Sequence, residues 1–350
     1  MGKTHLSRFY LSANTPLGFV SRLNMLCDCK RFSRILLLKG GTKKCRSALI
    51  NCAATAAKDS GRDVRFVASI DSPDIPEAVY WDEKAIIDSA PPLSIEPRYP
   101  GAVEDVIWLG ACFDPEKLAE QRDKIIALTG QEDRLREQAR RYLCAADALY
   151  NDNYRIALEA TDIEKIERQA DRIAEKDFHG TAAYEETCIF SDGYQLLPEL
   201  SNTNLFKTVV LLEDDLGPSA ALLLKALYKR AKDKKCHVIC GYSPMAPYER
   251  LEQLLFPELS LAFLTVNERL NVTCEPQRII NARRFTDKKI LSTYKNRLSF
   301  NRKAARQMLS QSQILLHNAQ EAQRSLEACY DLAFDQTHFD SLCKKVSGFV

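Results

Sequence analysis

No run of this chain approaches the roughly 18 consecutive apolar residues of a membrane-spanning helix. The opening Met1-Gly2-Lys3-Thr4-His5 also lacks the apolar core of a secretion signal. No membrane association is therefore expected, and the expected setting is cytoplasmic. Net charge is nearly absent too: 49 Lys and Arg against 47 Asp and Glu leave +2. The overall balance points neither to nucleic acid nor to an anionic membrane. Histidine is scarce, with His5, His179, His237, His317 and His338 scattered without metal spacing and without a Ser or Cys nucleophile signature beside them. Cysteine is plentiful at twelve, but only Cys27 and Cys29 lie close together, and no second pair completes a zinc set. Without a secretion signal, a disulfide framework is not expected. The cysteines read as small, mostly buried residues, with a metal or redox role left open for Cys27 and Cys29.

What is present is the composition of a folded protein. The 350 residues are 45% hydrophobic and 27% charged, long enough for two domains with their own cores. The chain repeats its own plan. "ILLLKGGTKKCRSALI" (Ile35 to Ile50) has a counterpart in "VVLLEDDLGPSAALLL" (Val209 to Leu224): an apolar strand, a polar loop, and a helix rich in Ala and Leu. Upstream, Ala13 to Val20 faces Phe190 to Leu197. Downstream, the apolar strands Asp63 to Ser69 and Asp82 to Ala90 face Cys236 to Tyr242 and Pro257 to Asn267. Strands alternating with helices at this spacing predict βαβ units and a mainly parallel sheet.

Each half then ends in a long helical stretch. Leu128, Leu135, Tyr142, Leu149, Ile156 and Ile163 recur every seven residues, with Ala139, Ala146 and Ala160 at the other seam position. Leu291, Tyr294, Leu298, Ala305, Met308, Leu315, Ala319, Ala322, Leu326 and Cys329 continue the pattern in the second half. Such 3,4 spacing predicts coiled-coil-like helices. Antiparallel hairpins packed on the α/β cores are the simple picture, the first turning at Asn151-Asp152-Asn153. The helices either complete the core or form arms that hold a partner or a second copy. The "RIINARRF" run (Arg278 to Phe285) reads as a solvated basic helix face. Asp114, Glu116 and Glu120 read as acids at a helix start.

Several of these segments carry a family likeness. Asn14-Thr15-Pro16-Leu17-Gly18-Phe19, the loop Lys39-Gly40-Gly41 to Ser47, and Glu96-Pro97-Arg98-Tyr99-Pro100-Gly101-Ala102 resemble the "N-T-P-x-G-F", "K-G-G-P-G-T-G-K-S" and "D-P-x-Y-P-G-A" stretches of a largely uncharacterised bacterial family of tandem P-loop ATPase-like proteins. The resemblance covers nearly the whole chain and implies two P-loop NTPase-like α/β halves, 1–178 and 179–350, each followed by a helical hairpin. It brings no established reaction. Where relatives often carry His after "A-P", this chain has Pro92.

The loop chemistry departs from that pattern. A P-loop turns consecutive backbone N–H groups around phosphate oxygens at a helix N-terminus. Its Lys reaches the β and γ phosphates, and its Ser or Thr holds Mg²⁺. Here Gly40, Gly41 and Ser47 remain, but Cys45 replaces the last glycine and Arg46 stands where the lysine should be. Cys45 restricts the backbone, and a guanidinium is bulkier than an ammonium. Lys43 and Lys44 offer a loose anion site. The residual phosphate loop would then be Gly40, Gly41, Lys44, Arg46 and Ser47, with Ser47 and Asp88 toward Mg²⁺ if a nucleotide binds. Asp88, after the apolar "AII", reads either as that Mg²⁺ anchor or as a cap before the turn at Ala90-Pro91-Pro92. The second loop has no lysine, carries Glu213, Asp214 and Asp215, and loses a donor at Pro218, so phosphate binding is not expected there.

Three functions follow as expectations. The first is a degenerate P-loop protein with weak or lost nucleotide binding and a scaffold or regulatory role. The second is an active ATPase or nucleotide-dependent kinase-like enzyme that binds ATP with Mg²⁺ and uses Arg46 or Lys44 in place of the lysine. The third is a module whose helical arms bind a protein or self-associate.

Overall fold

The computed structural model describes residues 6–180, 186–191, 206–270 and 275–350. His5, Cys274 and positions 192–197 of the Phe190–Leu197 counterpart lie outside these residues. The fold is mixed α/β with a parallel-rich sheet. Leu6, Ala13–Val20 and Arg140–Gln311 belong to one compact unit, and Ser7–Ser12, Ser21–Ala139 and Ser312–Val350 to the other. They are named below for the loop each contains: Lys39–Ser47 in the first-loop unit, Glu213–Ala220 in the second-loop unit.

In the first-loop unit, the "RILLLK" run forms strand β4 (Arg34–Lys39), its four central residues buried. Apolar side chains on both faces suit a central parallel strand covered on each side. Around it the strands β1 (Arg8–Tyr10), β5 (Arg65–Ala68), β6 (Pro76–Trp81), β7 (Lys84–Asp88) and β8 (Glu104–Trp108) lie in the order β8-β4-β7-β6-β5-β1. All run in one direction except β6, which is antiparallel to both of its neighbours. Helix α1 (Lys43–Asp59) follows β4; Thr42 caps it by accepting from the Cys45 N–H.

The second-loop unit has the same plan. Strands β9 (Glu186–Phe190), β10 (Thr208–Glu213), β11 (Val238–Tyr242), β12 (Leu251–Phe256), β13 (Leu261–Val266) and β14 (Arg278–Asn281) lie in the order β14-β10-β13-β12-β11-β9, with only β12 reversed. The register repeats as well: Leu38 faces Asp88 as Leu212 faces Thr265. The internal repeat read from the apolar segments is thus a repeat of topology. Strand β14 also corrects one reading. Arg278–Asn281 is extended and Ala282–Phe285 is a 3-10 turn, so the basic run is not a helix face. In the first half, strand β2 (Ser12–Thr15) and strand β3 (Gly18–Ser21) pair with each other around the Asn14–Phe19 motif.

The helical stretches differ from the hairpins expected of them. Helix α2 (Pro115–Glu120) is capped by Asp114, as its acids suggest. Helix α3 is then continuous from Arg122 to Glu159 and passes straight through Asn151-Asp152-Asn153. The reason is side-chain pairing. Asn153 is buried and donates to the Leu298 carbonyl (3.3 Å), while Asn301 donates to Asp152 (2.6 Å) and to Asn153 (3.0 Å). Polar groups answered across the helix interface do not compete with their own backbone, so the turn preference is overridden.

Helix α4 (Ile163–Asp177), from the first half of the sequence, packs in the second-loop unit against α5 (Pro218–Asp233). After α6 (Lys288–Thr293) comes α7 (Lys295–Asp331), and then α8 (Gln336–Ser347), which packs in the first-loop unit against α1. The compact units therefore do not divide at 178/179; each takes its terminal helix from the other half of the chain. A matched clamp holds each exchange. Asp162 N donates to Phe285 O and Asp287 N to Ala160 O in one unit; Asp335 N donates to Cys112 O and Asp114 N to Ala333 O in the other, all at 2.8 Å. Among the described residues, no helix is long and apolar enough to cross a membrane.

Candidate functional site

The first loop leaves β4 at Lys39 and enters α1 at Lys43. Gly40 and Gly41 both have positive φ, +71° and +63°. Their lack of a side chain serves internal packing: a Cβ on Gly40 would lie 2.9 Å from the Gly110 nitrogen and the Trp108 ring, and one on Gly41 3.0 Å from the Phe113 ring.

Arg46 turns its guanidinium back into this loop. Its Nε donates to Asp88 Oδ1 at 2.7 Å, and one terminal nitrogen donates to the carbonyls of Gly40 (3.1 Å) and Gly41 (2.7 Å). Both members of the ion pair are buried, at 8% and 5% side-chain exposure. Asp88 reaches Arg46 because β7 is paired with β4, and its Oδ1 also accepts from the Ala90 N–H (3.0 Å). Asp88 thus makes the turn contact of the capping reading and an ion pair with Arg46.

The other candidates have internal partners too. Ser47 donates its hydroxyl to Lys44 O (3.1 Å), a helix-internal bond. Lys44 pairs with Asp331 (2.9 Å) near the surface; that hydrogen bond, ahead of a small opposing effect of burial, holds its pKa above the ordinary lysine value. At the N-terminus of α1, the Lys44 N–H donates to Glu327 Oε1 (3.2 Å), the Cys45 N–H to Thr42 Oγ1 (3.2 Å) and the Arg46 N–H to Thr42 O (3.0 Å). A carboxylate from α7 thus lies where helix-start amides favour an anion. Cys45 is buried against Cys112, and burial, reinforced by that neighbour, pushes its thiol up to about 12.

Lys43 is not a free cation either. Its ammonium donates to Ser69 and Asp71 and lies 3.8 Å from Glu77. Arg136 joins from α3, bridging Asp71 (3.3 Å) and Glu132 (2.9 Å). Burial alone would raise Asp71, but Lys43 and Arg136 bring it down to about 2. Burial raises the Glu77 carboxyl more than Lys43 lowers it. Sequence reading missed this cluster. Asp71 follows β5 in an unremarkable turn, and Glu77 sits on β6 where an apolar residue would be expected.

The second loop is filled from within by its own aspartate. Asp214 Oδ1 accepts from the N–H groups of Leu216 (3.1 Å) and Gly217 (2.9 Å), Oδ2 accepts from Ala220 (2.9 Å), and Ser219 N–H adds a fourth bond. A loop and helix N-terminus shaped to receive an anion has one built in. Gly217 supplies the left-handed turn (φ +95°), and Pro218 opens α5 where its missing N–H costs nothing. Burial raises Asp214 while the four amides draw it down, with a net upward shift.

Beside this loop, at the carboxyl ends of β10, β13 and β14, lies an open cleft of about 880 Å³. Open α/β sheets commonly place ligands at such strand ends. Its lining includes Glu213 and Asp215 as well as Arg283, Lys288, Lys295 and Arg302. Among the described residues, no group of three or more His, Cys, Asp or Glu is placed to hold a metal ion.

As arranged, Lys43 and Lys44 are both ion-paired and Glu327 accepts from the Lys44 N–H at the start of α1, while the second loop holds the Asp214 carboxylate. Comparison with protein-family models, with curated proteins and with solved structures finds no match to this chain.

Proposed function

We propose that this chain is a degenerate P-loop ATPase-like protein that has exchanged nucleotide chemistry for a scaffold or regulatory role. The observation that carries the reading is the Arg46 guanidinium, held between Asp88 and the carbonyls of Gly40 and Gly41. A nucleotide that used the Arg46 guanidinium would first have to displace it from a buried ion pair. Breaking such a pair costs several kcal/mol, which would offset much of the affinity a phosphate loop supplies. Asp214 in the second loop supports the same view. An active ATPase or kinase-like enzyme would need Arg46 or Lys44 free, and both are engaged. The arm reading is weakened by the alanine seams, since Ala139, Ala146, Ala305, Ala319 and Ala322 are buried within the chain itself.

Thermal melting with and without millimolar Mg-ATP tests the proposal. The native chain is expected to show no shift. Arg46→Lys combined with Cys45→Gly restores a compact ammonium and a flexible loop, and is expected to melt higher with Mg-ATP than without it. A ligand at 100 times its Kd stabilises by about 2.7 kcal/mol, so a strong shift in the native chain would overturn the proposal.

A further inference from the structure

Cys52 lies on α1 and Cys343 on α8, and their Sγ atoms are 2.8 Å apart. A disulfide bond is about 2.05 Å long, so the two sulfurs need to close by less than 1 Å. Both residues are half-buried. The pair is held in place by packing on either side. Val346 is fully buried, the Phe349 ring meets the Trp81 ring edge-on, and Lys84 donates to the Phe349 and Val350 oxygens at 2.7 and 3.0 Å.

We propose that Cys52 and Cys343 form an oxidation site at which a disulfide fastens α8 to α1. The oxidant is a peroxide. The two thiols lose their protons and two electrons, an S–S bond forms, and the O–O bond breaks to give two waters, or water and an alcohol. The proposal stands on the sulfur geometry and does not depend on the reading of the phosphate loops.

Burial, and then the adjacent Cys52, push the Cys343 thiol up to about 12. Thiolate is the attacking species, so oxidation is slow near neutrality and faster at pH 9. The bond would join positions 291 residues apart. Long closed loops are where a cross-link constrains the unfolded chain most.

The test treats the full-length chain with hydrogen peroxide, blocks remaining thiols, and maps linked peptides by mass spectrometry. The expected product joins Cys52 to Cys343, is reversed by dithiothreitol, and melts several degrees above the reduced chain. Cys343→Ser is expected to lose both the link and the rise. The mapping on the native chain stands whether or not that variant folds. Three results would each overturn the proposal: full alkylation of Cys52 and Cys343 after oxidation, a Cys45–Cys112 link in place of theirs, or a linked species that melts no higher than the reduced one.

Discussion

Arg46 and Asp88 stabilise the first loop as a pair, and each is a liability without the other. Arg46→Ala would leave Asp88 buried without its cation, and Asp88→Ala would leave the guanidinium uncompensated; each is expected to cost about 3–5 kcal/mol. Arg46→Met with Asp88→Leu is expected to cost clearly less than the sum, because neither charge remains. Urea unfolding of the two single variants and the double reads this directly, and strict additivity would show that the pair is not coupled. Asp71 makes a separate prediction in pH. Its folded value of about 2 lies below its ordinary value of 3.8. Its contribution is therefore fully present above pH 5 and is lost as pH falls through 2. At about 1.4 kcal/mol per pH unit, that is roughly 2 kcal/mol. Glu77, raised by burial, acts in the opposite sense and at higher pH, where stability falls as it ionises. Stability measured from pH 6 to pH 2 is expected to fall less steeply in Asp71→Asn than in the native chain, whatever their absolute levels.

The elements differ in how openly the sequence declares them. β4, β7, β10 and β13 were legible as apolar runs, because burial on both faces leaves no room for polar residues. β6 and β12 were not, because each carries a buried glutamate, Glu77 and Glu252. Those carboxylates are tolerated through pairing with Lys43 and Arg269, which reach them only in the folded chain. The candidate site was legible residue by residue: Arg46, Ser47 and Asp88 stand out in the loop and strand. Their partnership was not, since Arg46 and Asp88 meet through strand adjacency and Glu327 arrives from 283 residues away. Helix α3 shows the same limit, because Asn151, Asp152 and Asn153 signal a turn locally, while Asp152 and Asn153 are answered by α7 and Asn151 by Asp147 and Arg250. Proline distinguishes the two outcomes. Asp152→Pro is expected to cost at least about 3 kcal/mol in a continuous helix, whereas a turn would accept it. Asp152→Ala removes only its partly exposed bonds to Arg297 and Asn301 and is expected to cost about 1 kcal/mol or less. Equal melting temperatures for the two variants would argue against the unbroken helix.

At the scale of the whole molecule, neither half of the sequence contains a complete unit. The core around β4 includes Phe339 and Val346 from α8, and the core around β10 includes Ile166, Ala170 and Ile173 from α4. A fragment 1–178 would expose the α1 surface that α8 covers and would carry α4 with no α5 to bury it. A fragment 179–350 would have the reverse defects. Unfilled core positions of this size typically cost several kcal/mol each, comparable to the whole stability of an ordinary domain. Expressed separately, the two fragments are expected to be insoluble or to unfold without a cooperative transition. Expressed together, they are expected to copurify in equal amounts and to melt cooperatively, because each supplies the helix the other lacks. Independent cooperative melting of 1–178 alone would mean that the exchanged helices add little to either core, and that the chain folds as two successive domains after all.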